Sequence, residues 1–154
     1  MASDRSDLSR VFLNEQLELA RKAAAVLQHS YERVNKISPL PAQLSSDELI
    51  DLDAMTSRFA RLSDILLQKV FRAIDAIELV DDGSLIDRMN RAKKRGVIDS
   101  ADLWREIRQL RNQIADEYVL TDQRQLFERT IHFAPELLRT MEQVQHCAGK
   151  IVSV

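Results

Sequence analysis

Hydrophobic positions recur along this chain with helical spacing. Leu13, Leu17, Ala20, Ala24, Leu27, Tyr31 and Val34 are separated by alternating steps of four and three, so they share one face of a long amphipathic helix. The segment from Lys36 to Ser45 contains Pro39 and Pro41, which lack backbone donors and disfavour helix in the residue before each, and it predicts a connector. Ser45 and Glu48 have capping-box spacing ahead of a second long stripe of Leu52, Met55, Phe59, Leu62, Leu66, Val70, Ala73, Ile77 and Val80. Asp81, Asp82 and Gly83 predict a turn. Ser84 then caps a short third helix that closes on Lys93, Lys94 and Arg95 before Gly96.

A fourth helix starts at Asp99 or Ser100 and turns Leu103, Ile107, Leu110 and Ile114 inward. After a break near Leu120, Thr121 or Asp122 caps a fifth helix carrying Leu126, Phe127, Leu137, Leu138, Met141 and Val144, with a kink expected at Pro135. Long helices joined by short connections predict an all-α fold: one domain over residues 1–154, an antiparallel bundle of four main helices and one short helix.

Composition supports that picture and narrows the function classes. Three Gly and three Pro in 154 residues leave long stretches free of helix breakers, and 45% hydrophobic with 30% charged residues describes a folded chain with a core. A net charge of -2 argues against coating nucleic acid by bulk charge and leaves only a local basic patch for such binding. Cys147 is the single cysteine, so neither an internal disulfide nor a cysteine zinc site can form, which fits a reducing compartment. The opening residues MASDRSDLSR lack the apolar core of a secretion signal, and no stretch approaches the roughly 20 apolar residues of a membrane span. A cytoplasmic location is therefore expected.

Glycine-rich phosphate loops, HExxH and Gly-x-Ser-x-Gly are absent, and His29, His132 and His146 are scattered, so no metal or cofactor is expected. His29 and His132 read as ordinary helix-surface or half-buried positions. The stretch WREIRQLRNQIADEY differs in gathering Arg105, Arg108, Arg111, Asn112, Asp116, Glu117 and Tyr118 on and beyond one amphipathic helix. Arg105, Arg108 and Arg111 taken alone describe a solvated face, with Asp102 and Glu106 near for weak ion pairs.

Arg111, Asn112, Ala115, Glu117 and Tyr118 resemble the Arg-Asn-x-x-Ala-His-Glu-Tyr signature of HepT-like HEPN proteins, with Asp116 in the histidine position. The resemblance extends through SRFARLSDILLQKVFRAID and RMNRAKKRGVIDSADLWREIRQL and covers roughly Asp53 to Met141. It implies a helical homodimer, a toxin of a toxin-antitoxin module paired with an MNT-type nucleotidyltransferase, and metal-independent endoribonuclease activity on RNA such as tRNA. It also implies that Arg111, with Arg108 and Asn112, meets the substrate, that Asp116 marks the altered catalytic position, and that Tyr118 is the acceptor of AMP groups from the antitoxin.

Residue chemistry bears on those roles. An Arg fork binds phosphate oxygens, while a His titrating near neutrality exchanges protons with a ribose hydroxyl or leaving oxygen. An ordinary Asp at the same place is an anion with no proton to give, so the expected nuclease is weak or impaired. The alternative is a non-catalytic binding subunit that presents nucleotide or Tyr118 to the nucleotidyltransferase. Arg111 and Asp116, five residues apart, lie about 140° apart on an ideal helix and converge only through a distorted helix end or across a two-fold axis. The basic run Arg88, Arg91, Lys93, Lys94 and Arg95 suits the negative end of the short helix, or forms a phosphate-contact rim if that helix packs beside the motif helix.

Overall fold

The first stripe forms its helix in the computed structural model, which describes residues 2–80, 82–116 and 123–152. The first helix, α1 (Ala2–Asn35), buries Leu13, Leu17, Ala20, Leu27 and Val34 and keeps Ala24 and Tyr31 half-buried at the edge of that face. The proline connector leads to α2 (Ser46–Asp64), closed at its start by the expected capping box. The Ser45 Oγ accepts from the Glu48 amide at 3.1 Å, and Glu48 Oε1 accepts from the Ser45 amide at 2.9 Å.

The second stripe is not one uniform helix. α2 passes into a π-helical segment (Ile65–Val70) and then α3 (Phe71–Ile77). The wider turn lets Ile65, Leu66, Leu67, Val70 and Phe71 all reach the core, including three consecutive residues that a single α stripe would not admit. It leaves Gln68 and Lys69 outward. Helix stops at Ile77, so Val80 falls beyond it. The Val80 amide donates to the Asp75 carbonyl at 2.9 Å, and Leu79 takes a left-handed φ of 59° with its side chain exposed.

The short helix α4 (Leu85–Lys94) has a capping box between Ser84 and Asp87, and Arg95 is its C-cap ahead of Gly96 at φ 77°. Ser100 caps α5 (Ala101–Ala115), its side chain accepting from the Leu103 amide. α6 (Gln123–Val152) runs through Pro135, which sits on an exposed position. The expected break near Leu120 and caps at Thr121 or Asp122 lie outside the described residues, as does Asp81 of the turn. The result is an all-α antiparallel bundle with α1, the α2–α3 rod, α5 and α6 as its main helices and α4 as the short one. None of the described helices is long and apolar enough to cross a membrane.

One hydrophobic cluster takes residues from every helix. Trp104, fully buried on α5, stacks at 5.2 Å and 59° on Phe71 and donates its indole N–H to Thr140 Oγ1 at 3.2 Å, so its one polar atom is satisfied. Asp75 is also fully buried. Its carboxylate accepts from Arg91 Nη2 at 3.0 Å and Arg95 Nη1 at 2.5 Å, while Arg88 Nε stands 4.0 Å away. Arg95 continues to Glu78 at 2.8 Å. The basic run therefore belongs mainly to the packing of α4 on α3. Arg91 and Arg95 serve as counter-ions to a buried acid, a role that neither the helix-end nor the phosphate-rim expectation had given them.

Candidate functional site

Where α2 meets the π-helical segment, Arg61, Asp64, Ile65, Gln68 and Lys69 face Arg108 and Arg111 of α5 across an open groove of about 440 Å³. Arg61, Asp64 and Gln68 follow steps of three and four on the polar side of the rod. Arg108 and Arg111 are one turn apart on α5. Four cations thus line the groove with one carboxylate, giving a locally positive surface on a chain whose net charge is -2.

Arg111 is held by Asp64 in a two-pronged pair. Nε donates to Oδ1 at 2.7 Å and Nη2 to Oδ2 at 2.9 Å, and the remaining Nη1 donates to Asn112 Oδ1 at 3.3 Å. The hydrogen bond to Asp64 raises the guanidinium above its ordinary value, so Arg111 is a permanent cation. Both partners are partly exposed, and pairing of this kind contributes about 1 kcal/mol or less to stability. Its effect is to orient: the Nε–Nη2 edge is taken, and the outer edge is aimed by residues on two helices.

Arg88 lies beside this groove. Its Nη1 donates at 3.4 Å to both the Leu67 carbonyl and Gln68 Oε1. Burial lowers its pKa; Asp75 opposes that effect, and the neighbouring positive charges of Arg72, Arg91 and Arg108 add to it. Arg88 and Arg108 therefore belong to one positive field, joining one member of the basic run to the motif helix. Lys93 and Lys94 stay exposed on α4.

The structure brings together Arg108 and Arg111 of the residues singled out in the sequence. Asn112 is exposed at the groove's edge. Asp116 is the C-cap of α5, where the backbone leaves the helix at φ -89° and ψ 92°, and its amide donates to the Asn112 carbonyl at 3.0 Å. It does not line the groove. Glu117 and Tyr118 lie outside the described residues. Arg105 is exposed and pairs loosely with Asp102 at 3.6 Å, as expected of a solvated position. His29 and His132 are exposed, the latter edge-on to Phe133 at 4.9 Å.

Sequence reasoning missed Arg61, Asp64 and Lys69. Their polar periodicity behind the second stripe was legible, but which helix they would face was not. A second cavity of about 500 Å³ contains Glu78, Arg95, Glu142, His146, Cys147 and Lys150. Its lining mixes both charges, and burial raises the Cys147 thiol above its usual value, which keeps it protonated and a poor nucleophile. The Arg111 groove is the stronger candidate. Among the described residues no group of three His, Cys, Asp or Glu is placed to hold a metal ion. No family model, curated protein or solved structure matches this chain.

Proposed function

We propose that the chain binds RNA along the Arg111 groove as a HepT-like HEPN toxin of a cytoplasmic toxin-antitoxin module, with metal-independent endoribonuclease activity that is weak at neutral pH. The proposed assembly is a homodimer that pairs with an MNT-type nucleotidyltransferase. The observation that carries this reading is the convergence of Arg61, Lys69, Arg108 and Arg111 on one groove, with Arg111 oriented by Asp64. A phosphate backbone is recognised by such a row of cations, whose counterions are released on binding. Weak cleavage follows from the lining: it offers cations, an amide and one carboxylate but no imidazole, the side chain suited to proton exchange near neutrality.

The second reading is a non-catalytic subunit that presents nucleotide or Tyr118 for AMP transfer. It is supported by the same observation, because an anchored Arg111 with Asp116 away from the groove suits binding better than proton transfer.

Anisotropy of a labelled single-stranded RNA, measured in EDTA over a range of salt, tests the shared core of both readings. Arg108→Ala and Arg111→Ala should each weaken binding and lower the slope of log affinity against log salt by about 0.7 per lost phosphate contact. Binding by both variants that equals the parent's at every salt would remove the groove from the function. Cleavage of a tRNA pool separates the readings: slow, EDTA-resistant cleavage supports the nuclease, and none supports the binding subunit.

A further inference from the structure

α1 has two apolar faces, and the fold covers only one. Leu13, Leu17, Ala20 and Leu27 are in the core, whereas Leu8, Val11, Phe12, Leu19 and Val26 remain 70%, 54%, 50%, 41% and 39% exposed. At about 100° per residue these five fall within roughly 100° of arc, centred about 140° from the core stripe. The face begins beside a shallow groove where Leu8 and Phe12 meet Ala73 and Ala76 of α3. Single exposed hydrophobics need no explanation, but a stripe reaching about 27 Å from Leu8 to Val26 marks an interaction surface.

The charges inside the stripe identify its occupant. Glu15 and Lys22 are exposed and share the same arc. A parallel copy would set Glu15 against Glu15 and Lys22 against Lys22. An antiparallel copy, related by a two-fold axis midway between Glu18 and Leu19, sets Glu15 against Lys22 and Val11 against Val26, each twice. Moving that copy to place Leu8 opposite Val26 puts Lys22 against Phe12 and Glu15 against Leu19, which buries charge on apolar surface. Antiparallel pairing therefore lets both charges of the face meet their opposites, with Leu19 lying against Glu18 at the axis, whereas parallel pairing opposes like charges. Glu15 near its centre also opposes an anionic lipid surface.

We propose that this stripe docks a second copy of the chain as an antiparallel α1–α1 pair closed by reciprocal Glu15–Lys22 contacts. The pair supplies the surface for the two-subunit form proposed above, on which it rests, and it is independent of the RNA chemistry. Both side chains are solvent-facing in the single chain, so exchanging their charges should leave the fold intact, which circular dichroism checks.

The experiment is light scattering on the full chain at micromolar concentration, for the parent, Glu15→Lys, Lys22→Glu and an equimolar mixture of the two variants. The parent is expected to be dimeric. Each variant alone should dimerise at least about tenfold more weakly, because it opposes like charges at both ends of the pair. The mixture should recover a dimer, since one variant then presents only basic and the other only acidic partners at these positions. A dimeric parent whose variants dimerise equally well and do not favour each other would overturn this face while leaving the two-subunit reading intact. A monomeric parent would overturn both, and if that monomer sediments with anionic vesicles the stripe is a lipid-facing surface instead.

Discussion

Arg111 stands between two acceptors. Asp64 holds its Nε–Nη2 edge at 2.7 and 2.9 Å, so an incoming phosphate must meet the outer edge or displace the carboxylate. Asp64→Asn removes the competing charge and keeps the shape. RNA affinity should rise about fivefold, the equivalent of about 1 kcal/mol for a partly exposed pair, and titration of the two proteins with the same oligonucleotide measures it. If affinity falls instead, orientation by Asp64 outweighs its competition. Asp116 poses the complementary question, because imidazole can take and give a proton near pH 7 where a carboxylate cannot. Position 116 does not line the groove of its own chain, so Asp116→His should raise tRNA cleavage visibly only if the proposed two-fold pairing brings it to the partner's groove; general acid-base groups contribute about 100-fold to 10,000-fold, and Arg111→Ala in that background should abolish the gain. A well-folded Asp116→His protein no more active than the parent would turn the site toward binding alone.

Between elements, a buried polar clamp outside the groove joins α4 to α3. Asp75 is fully buried, and Arg91 and Arg95 each donate to it through one guanidinium nitrogen. Burial depresses the Arg95 guanidinium, yet its hydrogen bonds with Glu78 and Asp75 overcome that and raise it, so Arg95 stays a cation. Removing the carboxylate leaves Arg95 with Glu78 and Arg91 with the Asp82 carbonyl, and takes from both their buried counter-ion. Asp75→Ala should therefore cost about 3 to 5 kcal/mol, read as a lower midpoint in urea unfolding followed by circular dichroism. A loss under about 1 kcal/mol would mean that the arginines re-solvate and that α4 is held by Met89 and Ala92 alone. The same rod supplies the groove: the π turn that buries Ile65, Leu66 and Leu67 turns Gln68 and Lys69 outward toward α5.

At the scale of the whole molecule, the basic groove of α2 and α5 and the apolar stripe of α1 are the two surfaces proposed above for partners. A nucleotidyltransferase that attaches AMP near the groove would set anionic phosphate against the same cations that RNA needs. Incubation with a cognate MNT-type enzyme and ATP should add AMP to the chain, located by mass spectrometry, and Tyr118→Phe should abolish the adduct. An adduct that persists undiminished in that variant would refute Tyr118 as acceptor and leave the partner standing. The modified chain should also bind RNA more weakly in the anisotropy measurement, because each added phosphate brings negative charge that repels the RNA backbone.

Local chemistry was enough to place the helices. Apolar periodicity drew α1, the rod, α5 and α6, and the caps at Ser45, Ser84 and Ser100 needed only short-range hydrogen bonds that residue spacing reveals. Periodicity alone read Arg108 and Arg111, with Arg105, as a solvated face, and it was the resemblance that singled them out. What required the tertiary structure was every choice among distant partners. Arg111 and Asp64 are separated by 47 positions, Arg95 and Asp75 by 20, and Trp104 and Thr140 by 36. Periodicity fixes which face of a helix is polar but not which charge lies opposite, so the basic run read as a helix end until a buried aspartate claimed it. The π turn was equally hidden, because three consecutive apolar residues can be buried together only when helices on several sides are there to cover them.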